Sequence, residues 1–216
     1  VSGSGGTAIT INPGSDFSQK TEYYVLIDAT AFDDGNSNSY AGITSTTALS
    51  FTTIDSTNPT LSSSSPADNA TSVAISSNIV LTFDEAVDAE SGNITIKKTS
   101  DDSTAETIDV TGSKVSGSGG TAITINPGSD LSGETEYYVL IDASAFDDGS
   151  GNSYAGISST TALSFTAADV ALPTLSSSNP ADDTTDVAID TNIVLTFSEA
   201  VDAESGNITI KKTSDD

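Results

Sequence analysis

The sequence repeats itself with a period of 114 residues. The segment VSGSGGTAITINPGSD begins at Val1 and again at Val115, and the same offset places NITIKKTSDD at Asn93 on its copy at Asn207. Of the 102 residue pairs that overlap at this offset, 83 are identical. A period of this length suits one complete domain per repeat, because small solenoid units are much shorter. The repeat therefore predicts an extended array of similar domains, an organisation that solitary enzymes rarely have.

The period divides the 216 residues into one complete repeat and two partial ones. Residues 59–172 form the complete repeat, residues 1–58 correspond to the back part of a repeat, and residues 173–216 to the front part. The sequence lacks an initiator methionine, a signal peptide and an apolar run long enough to cross a bilayer. We therefore interpret it as a window on a longer polypeptide and expect no membrane insertion.

Charge and composition exclude several classes of function. The net charge is −25, which repels nucleic acid and anionic membranes and suits divalent cations or a salty medium. The chain has no histidine and no cysteine, so Ser-His-Asp and Cys-His catalysis are impossible and zinc and iron lose their usual ligands. It also has no tryptophan for stacking on sugars. We expect that the protein is not an enzyme.

Apolar residues alternate with polar ones in short segments that are separated by Gly, Ser, Asn, Asp and Pro clusters. This pattern is typical of β-strands, and no stretch has the apolar stripe of a helix. Two antiparallel sheets that pack face to face would bury one side of each. We predict an all-β fold of tandem antiparallel β-sandwiches with seven to eight strands each, whose inward residues are Ile79, Leu81, Phe83, Ile94, Ile96, Ile108, Val110, Ile123, Ile125, Tyr137, Val139, Ile141, Leu163 and Phe165.

Two large side chains fall on the opposite face of one predicted strand. Tyr138 and Leu140 alternate with the inward set, so they should point away from the core unless both faces are covered. They then either pack beneath a loop or contact a neighbouring domain or chain.

One segment resembles a motif of known sandwiches. Leu131, Thr135 and Tyr137 have the spacing L-x-x-x-T-x-Y, and the corresponding residues of the first copy are Phe17, Thr21 and Tyr23. This spacing resembles the tyrosine corner of fibronectin type III and related domains. The resemblance implies that the tyrosine hydroxyl bonds to nearby backbone while its ring packs in the core.

The order of the motifs extends this resemblance to the whole repeat. PTLSSSSPADNATSVAISSNIVLTFDEAV is followed by the T-x-Y strand, by DGSGN and by a closing ALSFT. In this order the repeat resembles a bacterial Ig-like domain of S-layer and surface proteins. The resemblance implies a spacer or adhesive module outside the cell, seldom a catalyst. In the first copy Ser37 replaces the glycine of DGSGN, and we expect a differently shaped loop there.

Calcium is the metal that the composition favours, because it takes carboxylate, amide and backbone oxygens. Two glycine-containing loops carry such ligands: FDDGSGNSYAG, with Asp147, Asp148 and Asn152, and FDDGNSNSYAG, with Asp33, Asp34 and Asn38. The alternative is a plain turn in which the Asp and Asn side chains bond to local backbone. We carry both as hypotheses, with calcium as the possible cofactor.

A second acidic segment, FDEAVDAESGN, is predicted to be a solvated loop after a strand. It holds Asp84, Glu85, Asp88 and Glu90. In the other copy Ser198 replaces Asp84, which argues against an obligatory ligand role.

The partial repeats each expose half a core and unpaired sheet edges. Three readings follow: a window on a continuous array, disordered ends, or composite sandwiches in which residues 173–216 of one chain complete residues 1–58 of another and build a head-to-tail filament. The expected partners are neighbouring copies of the repeat, in the same chain or in such a filament. We expect an extracellular structural stalk of a bacterial surface adhesin or a filament segment. The alternative is a module that binds carbohydrate or another cell, and glycan-array binding by one repeat distinguishes the two.

Overall fold

The computed structural model describes residues 1–213, and these residues contain strands but no α-helix. The strands are β1 (Glu22–Tyr24), β2 (Ser50–Thr52), β3 (Leu61–Ser65), β4 (Ala70–Val73), β5 (Ile79–Ala89), β6 (Asn93–Lys98), β7 (Thr104–Asp109), β8 (Val115–Ser116), β9 (Gly120–Ile125), β10 (Glu136–Ile141), β11 (Phe146–Asp147), β12 (Ser164–Ala167), β13 (Leu175–Asn179) and β14 (Val194–Phe197). Residues 1–168 form one compact unit and residues 169–213 belong to a second.

The complete repeat is a sandwich of two sheets. One sheet has the order β4-β12-β10-β6-β7, and the other has the order β11-β5-β9-β8 with β3 paired to β5. All pairs are antiparallel except β12 with β4. The all-β prediction is confirmed. The structure has ten strands in this repeat, more than the seven to eight predicted, because β8 and β11 have two residues each and are too short to show alternation.

The core lies between the two sheets and contains every residue that alternation assigned to the inside. These side chains are almost completely buried, and they belong to one continuous apolar cluster. The core also holds an aromatic contact between strands and loops. The ring centroid of Phe83 lies 5.5 Å from that of Phe146 and 5.1 Å from that of Tyr154. Burial of this cluster is the main source of stability, since removing apolar surface from water drives folding.

The acidic segment after Phe83 is strand, so its prediction as a loop was wrong. Strand β5 continues through Asp84, Glu85 and Asp88 to Ala89. The register between β5 and β9 shifts between Thr82 and Val87. Val87 lies four residues after Phe83 along the strand and is buried in the core like Phe83, despite the acidic residues around it. Pairing of β11 with Asp88 and Ala89 then fixes the end of the strand.

Tyr138 lies on the outer side of its sheet and is nevertheless buried. Its hydroxyl donates to the Asp102 carboxylate in the turn between β6 and β7, and Lys97 Nζ lies 5.9 Å from the ring centroid. Of the two expected locations, the structure thus shows packing beneath a loop.

The partial repeats have little strand structure of their own. In residues 1–58, β1 pairs with β2, and Tyr23 packs with Phe17 and Phe51. In residues 169–213, β13 pairs with β14. Most apolar side chains of both segments are exposed.

Candidate functional site

Asp148 organises the loop that follows β11. One carboxylate oxygen of Asp148 accepts hydrogen bonds from the backbone N–H groups of Ser150 and Asn152, both at 2.8 Å. The other oxygen accepts a bond from Asn152 Nδ2 at 2.8 Å. These donors, with the Asn152 side chain first among them, lower the pKa of Asp148 to about 2. Asp148 is therefore a carboxylate at any physiological pH.

The loop of the first copy has the same hydrogen bonds, so the expectation of a different shape there was wrong. Asp34 accepts from the N–H groups of Asn36 and Asn38 and from Asn38 Nδ2, which lower its pKa. Ser37 takes a φ of 67°, close to the 83° of Gly151 at the corresponding position. The loop keeps its shape because Ser37 adopts a backbone conformation that favours glycine.

Asp148 lies in a group of three carboxylates with Asp55 and Glu85. One oxygen of each lies within 4.8 Å of the others, and within residues 1–213 no other group of three acidic side chains is as close. The Asp55 side chain is only 3% exposed, although aspartate is almost always solvated. Oxygen donors of this type suit a hard divalent cation.

A lysine ammonium already lies against this group. Lys20 Nζ is 2.6 Å from Asp55 Oδ2 and 2.5 Å from Glu85 Oε2. Asp55 Oδ2 is buried and has no hydrogen-bond partner, so its charge is balanced by the ion pair with Lys20. The contacts of the Lys20 ammonium with the carboxylates of Asp55, which has the larger effect, and of Glu85 raise the pKa of Lys20 above its ordinary value. Three carboxylates and one ammonium leave this group with an excess of negative charge.

The group joins two repeats. Lys20 belongs to the first partial repeat, and Glu85 and Asp148 belong to the complete repeat. Asp55 belongs to residues 53–58, the last residues of the first partial repeat, which form the connector to the complete repeat. Two further contacts hold the connector in place. Asn152 Nδ2 donates to the Asp55 carbonyl at 3.4 Å, and Gln19 Oε1 accepts from the connector residues Ser56 and Thr57.

Sequence reasoning assigned no role to Asp55 and did not bring Glu85 together with Asp148. One signal was present: between residues 53 and 58 only Asp55 is kept at the corresponding position of the next repeat, as Asp169. Of the predicted calcium residues, only Asp148 belongs to this group, whereas Asp147, Asn152, Asp33, Asp34 and Asn38 do not.

Asp84, from the second acidic segment, connects β5 to Thr60, the residue before β3. Its two oxygens accept from the Thr60 N–H at 2.7 Å and from Thr60 Oγ1 at 2.8 Å, which lowers its pKa. Ser198 at the corresponding position accepts from the Thr174 N–H at 2.9 Å. A hydroxyl can thus replace the carboxylate in one of its bonds, which fits a structural role.

The predicted corner tyrosines bond to backbone in both copies. The Ser132 N–H donates to the Tyr137 hydroxyl at 2.9 Å, and the Ser18 N–H donates to the Tyr23 hydroxyl at 2.9 Å. Tyr137 is 1% exposed and packs against Phe165. This is the geometry of a tyrosine corner.

Two facing sheets and a tyrosine corner define an Ig-like β-sandwich. A sequence model of the bacterial Ig-like domain matches residues 55–167 and 169–216, so the chain belongs to the bacterial Ig-like domain family. Domains of this family are non-catalytic structural modules.

One solved structure is similar to part of this chain. The crystal structure of the S-layer protein rSbsC(31-844) is similar over 56% of this chain and 16% of its own length, with 18% sequence identity and a TM-score of 0.36. Among curated proteins no sequence matches the chain significantly. In the part of the chain that the structure describes, no helix is long and apolar enough to span a bilayer.

Proposed function

We propose that the chain is an extracellular spacer: a stalk segment of a bacterial surface adhesin, or a segment of an extracellular filament. The observation that carries this proposal is the ion-paired junction of Lys20, Asp55 and Glu85. It draws residues from the preceding repeat, the connector and the following repeat into one contact. A spacer needs such a junction, since domains joined only by a flexible linker move independently.

The short connector and the charge of the chain support the same role. The connector between the repeats is short, and Gln19 and Asn152 hold it from both sides. A net charge of −25 opposes collapse of the array onto itself and lateral association of neighbouring arrays. The bacterial Ig-like family and the motif order support a location outside the cell.

We also propose that calcium binds at the repeat junction. Asp55, Glu85 and Asp148 offer three carboxylate oxygens within 4.8 Å of one another, and the excess negative charge of the group favours a divalent ion. A bound ion takes the place of the Lys20 ammonium. The loops of Asp147, Asp148 and Asn152 and of Asp33, Asp34 and Asn38 remain predicted sites, in which a cation competes with the hydrogen bonds within the loop.

Imaging of the native protein tests the spacer function. Immunogold labelling with an antibody against residues 59–168 should mark projections outside the producing cells at regular intervals. Label confined to the cell interior, or collected only at the tips of projections, contradicts a spacer. An antibody raised against an intracellular protein of the same cells serves as the control for permeability.

A further inference from the structure

Strand β7 pairs only with β6, and its six residues make it the longest edge strand of the complete repeat. The Val110 N–H donates to the Gly92 carbonyl at 3.1 Å. Because hydrogen bonds alternate along an antiparallel ladder, the N–H groups of Ile108 and Glu106 also point toward β6. The N–H and C=O of Thr107 then face the open side of the strand. A free row of this kind is a template for pairing with another chain.

The other edge strands of the complete repeat are short, irregular or flanked by proline. Strands β8 and β11 have two residues each, and β4 has four residues and shifts its register against β12. Strand β3 lies between Pro59 and Pro66, which cannot donate a backbone hydrogen bond. These features hinder pairing between edges. Strand β7 has no proline, and its register shift lies before Glu106, so the stretch from Glu106 to Asp109 is regular.

Glu106 places a charge on the inward face of this edge strand. It lies opposite Ile96, which is 0% exposed, and two residues before Ile108, which is 2% exposed. Residues that lie opposite each other share a face of the sheet, as do residues two apart on one strand. The Glu106 side chain therefore points to the core side of the sheet, and only 17% of it is exposed.

The partners of the Glu106 carboxylate lie across the open side of the sandwich. Its Oε1 forms an ion pair with the ammonium of Lys114, which directly precedes β8, the edge strand of the other sheet. The Gly128 N–H donates to Oε1 at 3.1 Å and to Oε2 at 2.9 Å. A side chain at position 128 would collide with the Lys114 ammonium, so glycine permits this close approach. These contacts tie the edge of one sheet to the edge of the other.

We propose that the ion pair of Glu106 and Lys114 guards the free edge of β7 against pairing with β7 of a second copy of the chain. Two copies of this strand are complementary by symmetry, because antiparallel pairing places the donors of one opposite the acceptors of the other. A strand that adds to β7 brings its inward side chains beside Glu106 and Lys114. Apolar groups then meet charges instead of a core, and the pair loses solvation.

The guard acts where the overall charge does not distinguish one contact from another. A net charge of −25 repels neighbouring copies, but salt screens this repulsion beyond about 10 Å. The ion pair acts at contact distance and on one strand. It is a property of the complete repeat, so the guard stands whether or not the chain is a spacer.

Replacing the ion pair by uncharged residues tests the guard. The variant Glu106→Val/Lys114→Gln of the full chain keeps the net charge, and apolar replacement of a mostly buried charge pair is often neutral for stability. In sedimentation velocity its weight-average mass should exceed that of the natural chain and rise with concentration to at least that of a dimer. The matched control Glu136→Val/Lys212→Gln makes the same exchange at exposed Glu136 on β10, which has partners on both sides. It should sediment as the natural chain does.

A third substitution locates the contact. Thr107→Pro removes the N–H that faces the open side and no bond to β6, so adding it to the unguarded variant should restore the mass of the natural chain. An unguarded variant that melts cooperatively and sediments like the natural chain overturns the proposal. Association that Thr107→Pro leaves unchanged, or equal association of the control, also overturns it. If the valine variant does not melt cooperatively, Glu106→Thr/Lys114→Gln makes the same comparison.

Discussion

The Lys20 ammonium lies 2.5 Å from the Glu85 carboxylate and connects two successive repeats that are 65 residues apart in sequence at this contact. The buried Asp55 carboxylate lies on the same ammonium. The order of the motifs indicates Ig-like domains, but this contact indicates how one domain is fixed to the next.

Replacing Lys20 by glutamate should convert the junction into a calcium-dependent one. Glutamate occupies this position in the next repeat, as Glu134. The change adds a fourth acidic group and removes the ammonium, so the protein should bind Ca²⁺ at least about tenfold more tightly, since charges a few ångströms apart interact appreciably even near water. Isothermal titration calorimetry with calcium chloride measures the affinity.

The matched control is Thr44→Ser at an exposed position outside the junction, which also reproduces the residue of the next repeat and leaves the charge unchanged. It should bind calcium as the natural chain does. Equal affinities of Lys20→Glu and the natural chain contradict a cation site at Asp55, Glu85 and Asp148.

Stability should fall as the pH drops from about 4 to about 2. The pKa of Asp148 is about 2 in the folded protein, against an ordinary value of 3.8, so between these pH values the carboxyl is protonated in the unfolded chain and ionised in the folded protein. The stabilisation is fully present above the unfolded pKa and is lost as the pH falls through the folded pKa. The pKa values of Asp84 and Asp109 are also lowered and act in the same direction.

Urea unfolding at several pH values measures this loss. Asp148→Asn should be less stable near neutral pH and should lose less stability between pH 4 and pH 2. If the variant and the natural chain lose stability in parallel, Asp148 is not among the groups responsible.

Gly151→Ser should destabilise the complete repeat by about 1–2 kcal/mol, the usual cost of a left-handed conformation for a residue with a side chain. Gly151 has a φ of 83°, and a Cβ there meets no atom within 4 Å, so the cost comes from the backbone alone. Gly149 also has open space and lacks a positive φ, so Gly149→Ser is the neutral control. Equal free energies of unfolding for both variants disprove the explanation.

Leu81→Ala and Leu195→Ala make the same change at corresponding positions with opposite results. Leu81 is 0% exposed in the core, and its truncation should cost the complete repeat about 2–5 kcal/mol. Leu195 is 40% exposed and lies outside that core, so its truncation should leave the main unfolding transition in place. Calorimetry of both variants decides whether the complete repeat folds on its own core.

Alternation could locate the core because its information is local. Ile94 and Ile96 each stand between polar neighbours, and strand geometry sends such residues to one face. The bulge between Thr82 and Val87 has no such signature, because a register shift depends on the partner strand β9 and not on the local sequence alone. Burial of Tyr138 depends on Asp102, which approaches it from a turn that alternation does not describe.

The junction could not be predicted in the same way because its residues come from distant segments. Asp55, Glu85 and Asp148 converge only after the sandwich has formed and the connector has been fixed against it. Asp148 was predicted only as a residue of its own loop, as a calcium ligand or as part of a plain turn. Its proximity to Asp55 and Glu85 is visible only in the three-dimensional structure.

A distance measurement across the junction tests the central claim, that Lys20, Asp55 and Glu85 hold successive repeats in a fixed relation. Spin labels on Glu22→Cys and Ser100→Cys, both exposed and on opposite sides of the connector, report this relation by pulsed electron paramagnetic resonance. The account predicts a single narrow distance distribution that broadens when Lys20 and Asp55 are both replaced by alanine. A broad distribution in the natural chain, unchanged by those substitutions, contradicts it.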